Sequence, residues 1–314
     1  MTATARPLIS ICVCTYRRPA GLARLMAALR HIAVPAGVEV ELLVVDNDDA
    51  GSARQTFEAC AGDWPWPARY GVEPRSGVGH ARSRCAQDAR GDWIAFIDDD
   101  EWPEPVWLTA LWTTQQKLGA DGVFGPVLAR FDEPPPDWLV QSRLYDRPRF
   151  ATGATLGWPQ CATGNVLFRR QLFFDAGGFD PAFAQSGSED SDFFWRCLDR
   201  GARFVWCDEA IVLEGVPPHR MTVAYLNQRA YVAGLNYARL HANRHGTFAF
   251  LTLALRGLAV VVAFAPLTWV SGWLKHPAKL RYEGKLQGGL GKIQAAWAPV
   301  SDEYGAGSST PGDS

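Results

Sequence analysis

Trp93-Ile94-Ala95-Phe96-Ile97-Asp98-Asp99-Asp100-Glu101 is the stretch that decides the fold. An apolar, β-branched and aromatic run of strand length ends abruptly in four acids. Residues 93–98 therefore read as a buried parallel strand with a polar turn at its C-terminal end. Carboxylates crowded at such an end repel one another and lose hydration, and a bound cation is the usual compensation. Ligands of open α/β sheets bind outside the carboxyl ends of the strands. The pattern points to a divalent ion held by Asp98 and Asp100 and shared with a phosphorylated substrate. The competing interpretation is a solvated turn, acidic by chance.

Upstream, the chain supplies the rest of such a sheet. Leu8 to Cys14 reads as a first strand, closed by the polar loop Thr15-Tyr16-Arg17-Arg18-Pro19. Leu22, Leu25, Met26 and Leu29 recur at helical spacing. Val38 to Val45 is a second strand ending in Asp46-Asn47-Asp48-Asp49, Ser52 to Ala61 a short helix, and Tyr70 to Glu73 a weak third strand. Gly77-Val78-Gly79 opens a helix that runs to about Ala89. This β-α-β-α-β-α-β alternation predicts a doubly wound, mostly parallel sheet with right-handed crossovers. Gly77-x-Gly79 lacks the third glycine of a dinucleotide fingerprint and follows a weak strand, which excludes a Rossmann dehydrogenase. No GxxxxGK[ST] is present, which excludes a P-loop enzyme.

The 314 residues allow one large domain or one domain with an extension. At 47% hydrophobic and 20% charged, the chain can bury a sizeable core. A net charge of −2 argues against nucleic-acid binding. The seven cysteines form no CxxC pair, and Cys12 and Cys14 lie in an apolar strand, so reduced, buried thiols are expected. The run Leu8 to Cys14 is too short for a signal peptide, and none is expected.

Downstream, Pro105 to Leu118 reads as a helix with proline near its start, and Gly122 to Ala129 as a strand. Residues 137–160 read as irregular, with Trp138, Tyr145 and Trp158 as rings that could face a sugar. Ala162 to Arg170 reads as a turn entering a strand. A helix from Phe193 to Arg200 is expected to end at Gly201, with Glu189 and Asp190 just ahead of it, where a carboxylate can be aimed into a cleft. Phe204 to Cys207 reads as a strand, and Met221 to about Arg244 as a helix rich in Arg and Tyr.

Seven pieces occur in one order: Thr15-Tyr16-Arg17-Arg18-Pro19, Val44-Val45-Asp46-Asn47, Gly79-His80-Ala81-Arg82, Phe96-Ile97-Asp98-Asp99-Asp100-Glu101, Thr163-Gly164-Asn165, Gly177-Gly178-Phe179-Asp180 and Ser188-Glu189-Asp190. With these, residues 8–244 resemble a family 2 glycosyltransferase of the GT-A type. The Asp-Asp-Asp-Glu run together with Arg229-Ala230-Tyr231 is similar to bacterial exopolysaccharide (succinoglycan-type) glucosyltransferases. Ser83 departs from the Asn usual after Ala-Arg. The resemblance implies an α/β GT-A fold, with a Rossmann-like nucleotide-binding half plus an acceptor half. It implies an inverting transferase that uses a UDP-sugar and Mg2+ or Mn2+. Carried over, Thr15, Tyr16, Arg17, Asp46, Arg82, Asp98, Asp99 and Arg220 would hold the nucleotide-sugar. Asp100, with Asp98 and His219, would hold the metal, and Asp190 would be the general base. Gly164, Asn165 and Glu189 would lie on the acceptor side.

Phe248 to Leu274 is almost wholly apolar, interrupted by Arg256, Gly257 and Pro266. Basic residues flank it on both sides: Arg239 and Arg244 before, and Lys275, Lys279, Arg281, Lys285 and Lys292 after. The uncharged part is at the lower limit for spanning a bilayer, and the symmetric flanks choose no orientation. A re-entrant or interfacial hairpin bent near Pro266 is expected, its basic flanks on anionic lipid; a buried helix pair is the alternative. The expected domains are a transferase domain at 1–245, a membrane-associated helical region at 246–304 and a disordered tail at 305–314. The expected setting is the cytoplasmic face of the inner membrane, with a polyprenyl-diphosphate-linked glycan as acceptor. The rival readings are a sugar-phosphate nucleotidyltransferase, whose Gly-rich first loop is missing here, and a non-catalytic sugar-binding membrane scaffold.

Overall fold

The computed structural model describes residues 6–184, 186–274, 276 and 278–299. The tail expected at 305–314 lies outside the described residues. By contact clustering the chain forms two compact units, one running to Leu128 and resuming over Arg147–Glu214, the other comprising Ala129–Asp146 and the chain from Gly215.

The first unit opens with β1 (Leu8–Thr15), α1 (Pro19–Leu29), β2 (Glu39–Asp46), α2 (Arg54–Ala61), β3 (Ala68–Val72), α3 (Val78–Asp88) and β4 (Trp93–Ile97). Then follow β5 (Glu101–Pro103), α4 (Trp107–Leu118), β6 (Gly122–Phe124) and the start of β7 (Val127–Phe131). After α5 (Asp137–Ser142) in the second unit come β8 (Asn165–Arg169), α6 (Gln171–Asp175), α7 (Glu189–Asp199), β9 (Phe204–Trp206) and β10 (Val212–Val216). The seven-stranded sheet has the order β3-β2-β1-β4-β8-β6-β9. It is parallel except at β8, which runs antiparallel to both β4 and β6. In a smaller ladder β10 pairs antiparallel with β5.

Alternation along the strands divides the core, because successive side chains of a strand leave opposite faces. Ile9, Ile11, Val13, Ala95 and Ile97 pack with Leu22, Met26, Phe57 and Leu111 from α1, α2 and α4. Cys12, Leu43, Val45, Ile94 and Phe96 pack with Ala81, Cys85, Phe173 and Phe193 from α3, α6 and α7. Both faces of the sheet are covered, as the near-continuous apolar strands require. All seven cysteines are free thiols.

Several sequence boundaries move. The strand expected over 122–129 is broken at Gly125-Pro126. Proline has no N–H for the ladder, and a Cβ on Gly125 would stand 2.3 Å from the Ala210 carbonyl oxygen. Residues 137–160 are not wholly irregular, since they contain α5 and a 3-10 turn at Trp158–Gln160. The helix expected from Phe193 begins at Glu189, so Glu189 and Asp190 lie in its first turn. Its apolar periodicity starts only at Phe193, whereas the acids before it suit the positive end of the helix dipole.

The second unit is built on α8 (Val223–His245), α9 (Phe248–Trp273) and α10 (Lys279–Gln294). α9 is one continuous helix with Pro266 inside it, so the turn of the expected hairpin does not fall there. The reversal of the hairpin comes after Leu274, between α9 and α10. Glycines let the three backbones meet. A Cβ on Gly257 would stand 2.5 Å from the Gly289 carbonyl oxygen, and one on Gly291 would stand 2.1 Å from that of Tyr231. Such small-residue contacts are how apolar helices pack without large side chains between them. α9 is long and apolar enough to cross a membrane, with mean hydropathy 2.2. Its most apolar window is only 17% buried, unlike a soluble core helix.

Candidate functional site

The carboxyl ends of β1 and β4 lie side by side, and their loops interlock. Thr15, the last residue of β1, donates its hydroxyl to Asp99 Oδ2 at 2.8 Å. Arg18 donates to Asp99 Oδ1 and to Asp100 Oδ2, each at 3.1 Å. Burial pushes the Asp99 carboxyl up to about 6, against the pull of Arg18. Glu101 is buried on β5, and its Oε2 accepts the Asp98 amide at 3.1 Å. Burial and the charges of Asp98, Asp100 and Glu214 hold Glu101 well above the usual carboxylate range. The four acids thus divide: Asp99 and Glu101 are enclosed, while Asp98 and Asp100 keep 37% and 26% of their side-chain surface exposed.

Arg82 joins this strand end to α7. It projects from α3, whose start is set by Gly77 at φ 120°, where a Cβ would collide with the Ala184 carbonyl. Its Nη2 donates to Asp98 Oδ1 at 2.9 Å, and its Nη1 donates to Glu189 Oε1. Glu189 is fully buried, its Oε2 has no hydrogen-bond partner among the described residues, and burial pushes it up to about 7 although Arg82 pulls it down. Next to it, Asp190 is only partly enclosed. Its Oδ1 accepts the Ser191 amide at 2.6 Å, and its Oδ2 accepts the Thr163 amide at 3.3 Å. Burial raises the Asp190 carboxyl above its ordinary value, with Arg82 opposing.

Other expected site residues have different surroundings. Tyr16 and Arg17 lie on the β1 loop, Arg17 at φ 52° with its guanidinium 5.0 Å from the Tyr16 ring centre and paired to Asp48. Asp46 has no exposed surface. Its oxygens accept the amides of Asp48 (3.0 Å) and Ala53 (2.8 Å) and the hydroxyl of Tyr70 (2.7 Å), so it shapes the loop after β2. Asn165 is likewise enclosed: it accepts from the Trp107 indole at 2.8 Å and donates to the carbonyls of Pro126 and Ala210. It braces β8 and presents no group to an acceptor. Gly164 makes room for Glu101, whose Oε1 lies 2.7 Å from where a Cβ would be. Glu189 is fully buried and paired with Arg82. His219 and Arg220 belong to a 3-10 turn of the second unit, where the Arg220 carbonyl accepts the Tyr145 hydroxyl at 2.7 Å. The aromatic rings expected to face sugar are used internally. Trp158 stacks on Trp195 with ring centres 4.5 Å apart, and Trp138 and Tyr145 pack with Leu139 and Val216. Arg18 carried no role in the sequence reading. Its signal is a cation directly after β1 in a chain whose β4 ends in acids that need one.

Among the described residues no group of three or more His, Cys, Asp or Glu side chains forms a metal cluster. The two partly exposed carboxylates do suit an ion shared with a substrate. Mg2+ commonly takes one or two carboxylates from protein and completes its shell with phosphate oxygens and water.

The profile described as glycosyl transferase family 2 matches residues 10–175, and that of glycosyl transferase family group 2 matches residues 142–280. The chain belongs to glycosyl transferase family 2. It is 35% identical over 252 residues to the succinoglycan biosynthesis protein ExoM of Rhizobium meliloti, covering 79% of this chain and 80% of that protein. It is 27% identical over 202 residues to the glucosyl-dolichyl phosphate glucuronosyltransferase of Haloferax volcanii, covering 58% of each. Among solved structures, the mannosyltransferase PcManGT of Pyrobaculum calidifontis, in complex with GDP-Man and Mn2+, superposes with TM-score 0.57 at 18% identity, over 94% of this chain and 88% of that one. TarS of S. aureus in complex with UDP-GlcNAc gives TM-score 0.53 at 16% identity, over 92% and 91%. At these identities the likeness establishes the GT-A-type fold of this glycosyltransferase.

Proposed function

We propose that this family 2 glycosyltransferase moves a hexose, glucose in the first instance, from a UDP-sugar to a polyprenyl-diphosphate-linked glycan, with inversion. The proposed setting is surface polysaccharide biosynthesis at the cytoplasmic face of the cell membrane. The observation that carries the reading is Asp190, on the first turn of α7, whose carboxylate oxygens accept the amides of Ser191 and Thr163 and whose neighbour Glu189 is tied through Arg82 to Asp98. The succinoglycan relative supports the polysaccharide setting, the glucosyl-dolichyl phosphate relative supports a lipid-linked acceptor, and the exposed apolar α9 supports membrane association.

In this reading Thr15, Tyr16, Arg17, Arg82, Asp98 and Asp99 line the nucleotide-sugar side, with Asp46 shaping the adjoining loop. An acceptor hydroxyl is a weak nucleophile, and Asp190 takes its proton as the oxygen attacks the anomeric carbon. Burial makes Asp190 a stronger base than a solvated carboxylate, while the amides of Ser191 and Thr163 fix its direction. A single displacement inverts the anomeric centre, so an α-linked donor gives a β-glycoside. Mg2+ or Mn2+ held by Asp98 and Asp100 would offset the negative charge gathering on the departing diphosphate. Asp190→Asn should lower transfer by ~10²–10⁴-fold with UDP-sugar affinity near wild type. Full turnover by a folded Asp190→Asn protein would sink the assignment.

A further inference from the structure

The second unit contains a cavity of about 330 Å³ where the end of α8 meets the start of α9. His241, His245 and Arg256 form its polar wall, and Phe248 and Leu253 its apolar one; among the described residues none that lines it is acidic. The imidazoles of His241 and His245 have centres 6.0 Å apart. The His241 ring lies 4.2 Å from that of Tyr237, and the ammonium of Lys292, from α10, sits 5.0 Å from the Tyr237 ring centre. Burial pushes His241 below the ordinary imidazole value, and the charges of His245, Arg256 and Lys292 push the same way, against the Tyr237 carbonyl. The guanidinium of Arg256 therefore lines a half-buried space beside two imidazoles of α8, with the charge of Lys292 close enough to act on His241, an arrangement that an anion stabilises.

Phe248 also begins an exposed apolar stripe. Leu251, Leu255, Leu258 and Val262 follow it on one face of α9, each more than half exposed. Trp269 and Trp273 continue the exposed apolar surface at 76% and 79% exposure. From Phe248 to Trp273 the helix is about 37 Å long at ~1.5 Å per residue. A charged cavity at one end of an apolar track fits a molecule with an anionic head and a long chain. Arg256 on the wall, two imidazoles beside it and Lys292 close behind match a multiply charged diphosphate better than a singly charged phosphodiester.

We propose that this cavity binds the diphosphate head of an isoprenoid lipid, with the chain along the α9 stripe. The inference builds on the lipid-linked acceptor proposed above and gives its head group a seat. Calorimetric titration of full-length protein in detergent with farnesyl diphosphate should show binding, with inorganic pyrophosphate and farnesol each much weaker. Arg256→Gln and His245→Gln should each weaken farnesyl diphosphate by about tenfold, as for loss of a charge-assisted hydrogen bond. Arg256→Lys should keep most of the affinity, Lys279→Gln should change nothing, and UDP binding should be equal in all as the check on folding. Unchanged affinity in the Arg256→Gln/His245→Gln double variant, or pyrophosphate binding as well as farnesyl diphosphate, overturns the proposal. Vesicle flotation separates the lipid sources. The double variant should lose binding to phosphatidylcholine vesicles doped with undecaprenyl diphosphate. If it loses binding only to phosphatidylglycerol vesicles, the cavity serves bulk headgroups and the diphosphate assignment fails. Protein that binds farnesyl diphosphate through these residues yet glycosylates no lipid-linked acceptor keeps the site and refutes the acceptor reading instead.

Discussion

Glu189→Gln tests the buried Arg82–Glu189 link by stability rather than by turnover. Glu189 is 0% exposed and pushed from an ordinary 4.5 up to about 7, with the attraction of Arg82 already included. Its folded value lies above its unfolded value. The carboxyl is therefore protonated in both states below about pH 4.5, and the folded state loses ground as the pH rises through 7. At about 1.4 kcal/mol per pH unit, the ionised carboxylate costs the folded protein about 3 kcal/mol above pH 7. Glutamine mimics the neutral form in shape and can still accept from Arg82. The variant should match wild type in urea unfolding near pH 4 and exceed it by up to about 3 kcal/mol at pH 8, with an unchanged m-value. Transfer should fall all the same, because Arg82 beside Asp98 loses its second counter-charge. A Glu189→Gln protein less stable than wild type at pH 8, or a difference that does not grow between pH 5 and 8, would refute the reasoning.

Asp100→Ala should lose both UDP affinity and its dependence on metal, while wild-type activity should vanish with EDTA and return with Mg2+ or Mn2+; UDP bound equally tightly with EDTA and with Mn2+ rules out the metal role. High salt should release only part of the protein from membranes and detergent all of it, each Lys or Arg near the surface contributing about 1 kcal/mol at low salt. Full-length protein wholly soluble and lipid-free at low salt would make α9 and α10 a plain helix pair. Gly291→Val should destabilise the second unit by about 1–3 kcal/mol or more in thermal melts, since its Cβ has no room beside the Tyr231 carbonyl; an unchanged melting temperature contradicts that packing.

What the sequence determined by itself is what repeats over short distances. Period-two and fully apolar strands, broken by loops and amphipathic helices, fixed a two-faced α/β sheet, because strand side chains must alternate between faces that both need covering. Acids after 93–97 marked the end of β4 as a ligand site, and the long apolar run near Pro266 marked a helix that the first unit's core does not need. Only the tertiary structure decided which polar groups are taken up by other parts of the protein. Arg82 and Glu189 are 107 residues apart, and Thr15 and Asp99 are 84 apart. Likewise Asn165 and Asp46 look like site residues in their motifs but are consumed by indole, amide and hydroxyl partners brought in from elsewhere in the chain. The antiparallel insertion of β8 is equally silent in its own residues, since direction depends on the path of the connection. Local spacing reports on periodicity, whereas burial and pairing follow from packing between distant segments, and it is these that enclose Asp99 and Glu101 while Asp98 and Asp100 keep part of their surface exposed.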